Sequence, residues 1–343
     1  IIMRRLIIHA PGIHVGGGVV LLKELLSEKC LGNVCVNLDE RAAAVISVPK
    51  WIELHYIPHS IIGRLKAEIY LKRISKKDDS VLCFHGLPPL LPVQGNIVVF
   101  AQNRHHFESE SLSQFALKTR LRITLERLIC RLFKARVHEY IVQTQSMKNS
   151  LMKWHGGSPV IKIMPLMKKL EKSENKSKLE NKFDFVYVAD GEFHKNHHHL
   201  ISALKLLAEE EIFPSLCLTL SKRHEDIMNK IDVEIANHDL KISNIGEVSH
   251  DEIINLYRSS TALIFPSTTE SFGLPLLEAS QLSLPILASE KDFVRDVCTP
   301  VQTFDPQSPI SISRAIKRFL KMTEQTQQIY TSSEFLNKIG FKE

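Results

Sequence analysis

Two stretches in which short β-branched runs alternate with helical patterns, separated by a charged run poor in apolar residues, most constrain how this chain can fold. Runs at 5–10, 34–37, 81–84, 97–101 and 139–143 predict five strands in the first half. Those at 183–189, 216–220, 242–245, 262–265, 285–288 and near 302–304 predict six in the second. Helical spacing fills most of the intervals. Strands that alternate with helices pair in parallel under helical layers, so each half reads as a doubly wound α/β domain. The run KKLEKSENKSKLENK, 168–182, divides them as an exposed charged linker with room for a helical turn. The expected organisation is a Rossmann-like domain over 1–167, the linker, a second Rossmann-like domain over 183–307, and a terminal helical segment over 308–343. That last segment either stays with the second domain or crosses back to the first.

A chain of 343 residues is comfortable for two such domains. With 44% hydrophobic and 24% charged residues it belongs with ordinary globular proteins rather than disordered or fibrous ones. The six cysteines (30, 35, 83, 130, 217 and 298) form no CxxC pair, which argues against a zinc site or a disulfide framework and for a reducing, cytoplasmic setting. No run approaches the ~18 apolar residues of a membrane span, and the apolar start is too short for a signal peptide's core. Charge is unevenly shared. Residues 1–166 carry 23 Lys and Arg against 12 Asp and Glu, and residues 167–343 carry 21 against 26. The basic first half suits an anionic partner or is simply a solvated surface.

Open α/β sheets bind ligands beyond the carboxyl ends of their strands, so two facing sheets would hold a ligand between them. Three loops are placed for this. In HAPGIHVGGGVVLLKELL, 9–26, a strand passes through Gly16, Gly17 and Gly18 into a helix. Glycines admit a close backbone approach and a helix start favours an anion, although the same residues serve a tight turn with positive φ. The spacing is not GxGxxG, so no dinucleotide fingerprint is present. In the second half, Lys195 follows a strand and can reach phosphate oxygens as a point charge. His194, His197, His198 and His199 crowd the same stretch, but sequence neighbours face different ways and no carboxylate completes a ligand set, so no metal is expected.

The third loop is PSTTESFGLPLLEAS, 266–280. Pro275 suits the first turn of a helix starting near Leu274, which places the amides of Phe272, Gly273 and Leu274 at its positive end. Glu278 then sits one turn in, and Glu270 stands outside in the loop. The helix start suits a phosphate, and a carboxylate can accept two hydrogen bonds from a vicinal diol. A phosphate flanked by two sugars is what a nucleotide-sugar presents.

Glu270-Ser-Phe-Gly-Leu-Pro-Leu-Leu-Glu278 resembles the E-x7-E motif of the family 4 retaining glycosyltransferases, which have the GT-B fold: two Rossmann-like domains facing across a cleft. The Gly16–Gly18 loop, His-Lys195-Asn-His, Ile245-Gly-Glu-Val-Ser249 and LYRSSTALIFPS, 256–267, support the likeness. FHGLPPL, FAQNR and ADGEFHKNHHHLI are similar to bacterial enzymes that build O-antigen or capsular polysaccharide. The resemblance implies that Glu278 holds the ribose and Glu270 the donor sugar. Ser271, Phe272, Gly273 and Leu274, with Lys195 and Gly16–Gly18, would hold the diphosphate, and Glu247 and Val248 would lie near the base. It implies no metal and no cofactor, since lysine and helix-terminal amides offset the leaving group's charge.

Two positions depart from the family pattern. Asp190 stands where an arginine five residues before the lysine is usual, which leaves Lys222 or Arg223 to supply a cation. Gln102-Asn103 stands where a histidine is usual, and Gln102 would then hydrogen-bond the sugar. His85, Asn103, His105 and His106 are candidates for acceptor contact, with a buried structural role as the alternative for the histidines.

Residues 117–136 carry apolar side chains at 117, 121, 125, 128 and 132, with seven Lys and Arg and one acid, Glu126. Such a helix lies against anionic lipid at the inner face of the cytoplasmic membrane, or packs its apolar stripe into the core. The expected partners are a UDP-, GDP- or dTDP-sugar and a saccharide or polyprenyl-diphosphate-linked acceptor. No nucleic acid is expected. Two other functions compete: a nucleotide-sugar epimerase of the same architecture, and a protein that binds a nucleotide-sugar without turnover, motivated by Asp190 and Gln102.

Overall fold

The computed structural model describes residues 5–28, 33–107, 117–167, 182–322 and 331–339, with positions 112, 115, 170 and 329. Apart from positions 170 and 182, the linker expected at 168–182 lies outside the described residues. Two wholly parallel sheets account for the strands. The first holds β1 (Leu6–Ala10), β2 (Val34–Asp39), β3 (Glu53–Ile57), β4 (Ser80–Cys83), β5 (Asn96–Phe100), β6 (Glu139–Val142) and β7 (Ile161–Ile163), in the order β3-β2-β1-β4-β5-β6-β7. The second holds β8 (Phe183–Tyr187), β9 (Leu216–Leu218), β10 (Ile242–Asn244), β11 (Ser260–Phe265), β12 (Ile286–Ser289) and β13 (Gln302–Phe304), in the order β10-β9-β8-β11-β12-β13.

All eleven expected strands are present, and β3 and β7 are additional. Both additions are edge strands, covered on one side only, and ELHYI and IKI therefore lack the continuous apolar run that marks a central parallel strand. Central β2, by contrast, is buried at every position.

The helices are α1 (Gly17–Ser27), α2 (Ile61–Ile74), α3 (Leu117–Phe133) and α4 (Gln145–His155) in the first unit. The second unit has α5 (His197–Glu209), α6 (Glu225–His238), α7 (His250–Arg258), α8 (Leu274–Gln281) and α9 (Asp292–Arg295), followed by α10 (Pro309–Phe319) and α11 (Ser332–Lys338). Successive strand residues point to opposite faces. Accordingly Ile8 packs with Leu21, Leu22 and Leu26 of α1, while Ile7 packs with Leu71 of α2, Cys130 of α3 and Met147 of α4. In the second unit, Leu200 and Leu204 of α5 share one core with Ile312 and Ile316 of α10. Lys317 also reaches Glu210 at 3.0 Å. The helix over 309–319 is thus part of the second core.

Strand order reverses between β1 and β4 in one sheet and between β8 and β11 in the other. At such a switch point neighbouring strand-end loops diverge and open a crevice. The glycine loop leaves β1, His85 follows β4, Lys195 follows β8 and Glu270 follows β11, so both crevices hold the residues that sequence singled out. The two units meet at a polar contact in which Ser146 N at the start of α4 donates to Asp296 Oδ2 at 2.7 Å, and Leu170 of the linker is tied to the second unit, its N donating to Gln281 Oε1 at 2.7 Å.

Candidate active site

The loops of the second unit are fastened to one another by buried polar groups. Asn196 takes a left-handed backbone, φ 64°, and is 1% exposed. Its Nδ2 donates to Pro266 O at 3.0 Å and Pro306 O at 2.7 Å, and its Oδ1 lies 2.6 Å from His199 Nδ1. Tyr187 Oη donates to Lys195 O at 2.7 Å and lies 3.1 Å from Ser267 Oγ. Thr268 N donates to His194 O at 2.8 Å. Three strand exits are therefore held as one body, and Lys195 and Glu270 meet across it, Nζ to Oε1 2.6 Å.

Burial alone would raise the Glu270 carboxyl. The charge of Lys195, with hydrogen bonds from Lys195 and Ser267, outweighs it and holds the group below the usual range. Burial, helped by Lys195, lowers His194 to about 4 and His197 to about 3, so both are neutral at pH 7.

Helix α8 starts where expected. Gly273 (φ 74°) turns the chain in the left-handed region, Pro275 falls in the first turn, and Leu276 N closes onto Gly273 O at 3.0 Å, which leaves the amides of Gly273 and Leu274 at the mouth of the helix. Glu278 is 5% exposed; Oε2 accepts from Tyr257 Oη at 3.1 Å and Oε1 lies 2.9 Å from His250 Nε2. His250 opens α7, whose start is fixed by a capping box between Ser249 and Glu252. Both carboxylate oxygens retain a lone pair for another donor. Glu247 is exposed and Val248 half-buried in the loop just before Ser249.

The glycine loop faces this helix. Gly16 has φ 69° and precedes α1. A Cβ at Gly17 would come within 3.0 Å of Leu274 Cδ1, and one at Gly18 within 3.6 Å of Gln102 Oε1. The glycines thus permit the two helix starts to approach. A small cavity between the units is lined by Val20 and Leu21 of α1, Met167, Leu170, His250, Leu274 and Glu278. Gly16–Gly18 and the start of α8 are brought together; Ser271 is drawn elsewhere, its Oγ accepting from Arg104 N at 3.0 Å.

Sequence reasoning passed over Arg104, His250, Tyr257 and Asn196. Arg104 also donates from Nη1 to Glu270 O at 3.2 Å and from Nη2 to Ser150 Oγ at 3.4 Å, spanning the cleft. The FAQNR string contained this arginine, but nothing in it says that the side chain turns across a domain boundary. Tyr257 and His250 sit on the α7 face toward α8, visible only once the two helices are packed.

The first-unit candidates face inward. Gln102 Nε2 donates to Phe84 O at 2.6 Å, and Asn103 Oδ1 accepts from His105 N at 3.0 Å. His85 donates from Nδ1 to His9 O at 3.1 Å and its Nε2 accepts from Arg64 Nη2 at 2.8 Å; burial and nearby Arg64 keep it neutral. His106 is buried against Glu126 at 3.2 Å. His105 approaches the ring of His194 edge-on at 5.8 Å between centroids, the one of these side chains that meets the second unit.

Asp190 is the anchor of Arg223. Its carboxylate accepts from Arg223 Nη2 at 2.9 Å and Ser221 Oγ at 3.0 Å, and lies 2.9 Å from His224 Nε2. Arg223 is therefore brought beside the position where the family pattern has its arginine. Among the described residues, Asp190, Glu192 and His224 are grouped closely enough to hold a metal, but Asp190 is already engaged by Arg223 and Ser221. Of the adjacent histidines, His197 packs on Tyr187, and His198 packs on Phe193 and on His199, whose ring centroid lies 4.0 Å away.

Two Rossmann-like units with a cation–carboxylate pair, two helix starts and a buried glutamate at their shared cleft define a GT-B type of protein. A solved structure shares this fold over nearly the whole chain: Anabaena Alr3699/HepE in complex with UDP and glucose, TM-score 0.66, 14% identity, covering 93% of this chain and 90% of that one. Residues 168–334 match the family model described as glycosyl transferases group 1. The serotype-specific mannosyltransferase WbdA of Escherichia coli is 31% identical over 130 residues, 38% of this chain and 14% of that protein. The O-antigen chain mannosyltransferase RfbU of Salmonella typhimurium is 24% identical over 199 residues, 58% of this chain and 55% of that protein. The chain thus spans between about a seventh and just over half of these relatives' length.

Proposed function

We propose that this protein is a retaining glycosyltransferase that moves a sugar from a nucleotide-diphosphate donor to a saccharide acceptor in envelope polysaccharide assembly. The observation that carries the reading is the joint placement of Glu278, Glu270 and Lys195 around the start of α8, opposite the glycine loop. The Glu278 carboxylate, oriented by Tyr257 and His250, accepts from the ribose diol. The amides at the start of α8 and the Lys195 ammonium receive the diphosphate, and Glu270, relieved of Lys195, turns to the donor sugar. Lys195 and the amides supply the charge that a metal supplies elsewhere, so the transfer proceeds without one. The leaving phosphate takes the proton of the acceptor hydroxyl as the new bond forms on the same face. The similarity to two mannosyltransferases supports a mannosyl group as the sugar transferred. A polyprenyl-diphosphate-linked acceptor fits the basic first half, with residues 117–136 contacting an anionic membrane.

Among the described residues no helix is long and apolar enough to cross a membrane. The reading is tested by assaying sugar transfer by Glu278→Gln, which keeps the shape and the neutral hydrogen bonds. A loss of about a hundredfold is expected, the worth of two charge-assisted hydrogen bonds. Unchanged transfer would exclude Glu278 from donor binding.

A further inference from the structure

The five leucines of α3 at 117, 121, 125, 128 and 132 are 50–79% exposed. At 100° per residue they occupy an arc of about 80°. The side chains that α3 buries, Ile123 and Cys130, lie on the opposite side. The apolar stripe is therefore turned away from the core, and core packing does not explain it. Exposed Lys118 and Arg122 line one margin of the stripe, and exposed Arg120 and Arg131 line the other.

Helix α2 repeats the arrangement. Ile61, Ile62, Leu65 and Ile69 point outward at 90%, 67%, 51% and 38% exposure, while Gly63, Ala67 and Leu71 are buried. Lys66, Lys72 and Arg73 are exposed beside them. The one acid on each helix is withdrawn: Glu68 is 0% exposed, and Glu126 is half-buried against His106. Leu71 and Cys130 belong to one core cluster, so both helices cover the same face of the first sheet and their outward sides look the same way.

We infer that α2 and α3 together form a docking surface for an anionic lipid bilayer. Leucine and isoleucine side chains bordered by cations, with no exposed acid on either helix, match acyl chains below anionic headgroups. A second copy of the chain would instead set one basic rim against another. The direction of the surface follows from topology. Each helix leaves the carboxyl end of a strand, β3 or β5, so Ile61 and Leu117, the most exposed apolar residue of each, lie at the cleft edge. Resting on the transferase reading, this edge would let a lipid-carried acceptor reach the cleft without leaving the membrane.

The experiment uses the full chain with vesicles of phosphatidylethanolamine and phosphatidylglycerol, and with phosphatidylcholine vesicles as the neutral arm. The wild type is expected to sediment with the anionic vesicles and to be released as salt rises. Leu121→Glu with Leu125→Glu should lower the vesicle partition about tenfold or more, and Ile62→Ser with Leu65→Ser about fivefold. Retained circular dichroism and unfolding temperature would show that these surface variants fold. Failure of the wild type to bind, equal binding to neutral vesicles, or undiminished binding by either variant would overturn the two-helix surface. So would a wild-type dimer that the variants convert to monomer without any vesicle binding. Because no donor is present, a protein that binds vesicles but is not protected by nucleotide-sugars would sink the transferase reading and leave this one standing.

Discussion

The strand-end loops of the two units use their polar side chains in opposite ways. In the second unit Asn196, Tyr187 and Thr268 spend theirs on fastening three loops together, which leaves Lys195, Glu270 and Glu278 aimed at the cleft. In the first unit Gln102, Asn103 and His85 are themselves the fasteners, each bonded to backbone or to a neighbour inside its own unit. One half is a preorganised cradle; the other is a wall with a glycine gap, and Arg104 reaches over from it. The ammonium and both carboxylates aimed into the cleft thus come from the second unit, Arg104 being the cation that crosses to them, and substitutions in the two halves should differ in kind.

The largest effect is expected at Lys195. Lys195→Met removes the ammonium that receives the diphosphate and leaves Glu270 buried without its partner. Turnover should fall about a thousandfold, measured as released nucleotide, and adding Glu270→Gln should restore thermal stability but not turnover. If the double variant regained activity, the cation would be structural and the contrast between the halves would fail.

Acid stability should also point to the second unit. Burial keeps His197 neutral down to about pH 3, whereas in the unfolded chain it takes a proton near pH 6.5. Between those values the unfolded chain binds more protons, so this group's contribution to stability is complete above pH 6.5 and is lost as pH falls. At pH 5 the loss is about 2 kcal/mol. Urea unfolding at pH 7 and pH 5 should show it, and His197→Leu should flatten the dependence. An equal slope in the variant would place the acid sensitivity elsewhere, with His194 of the same unit and His9 and His85 of the first unit the other histidines whose protonation desolvation opposes.

Arg104→Ala should cost least. The cradle stays intact, but the tie from Arg104 to the Glu270 carbonyl is lost, and turnover should drop about tenfold with little change in unfolding temperature. A loss as large as that at Lys195 would make Arg104 a direct contact of the reacting groups and would place cleft charge in both halves.

This difference also explains what was legible in the sequence. The α/β layering could be read because buried central strands such as β2 need continuous apolar runs, and the α8 start could be read because Gly273 and Pro275 are demanded by its geometry. Glu270 and Glu278 stood out because carboxylates at a strand exit need a reason to be there. What escaped are residues whose role is created by packing: Tyr257 and His250 turn to Glu278 only when α7 lies against α8, and Asn196 matters only because three loops converge on it. Tyr257 also decides which substitution tests Glu278, because Glu278→Ala removes the acceptor of its buried hydroxyl. That change strands a buried hydroxyl at a cost of about 1–3 kcal/mol, which makes Glu278→Gln the cleaner substitution.

The central claim, that the cradle of the second unit binds a nucleotide-sugar, is tested most directly by heat unfolding in the presence of GDP-, UDP- and dTDP-sugars. A ligand that binds only the folded state raises its apparent stability by mass action. One donor class at saturating concentration should raise the unfolding temperature of the wild type by about 5 °C, and that of Glu278→Gln by much less. No shift with any donor, or equal shifts in wild type and Glu278→Gln, would contradict the account.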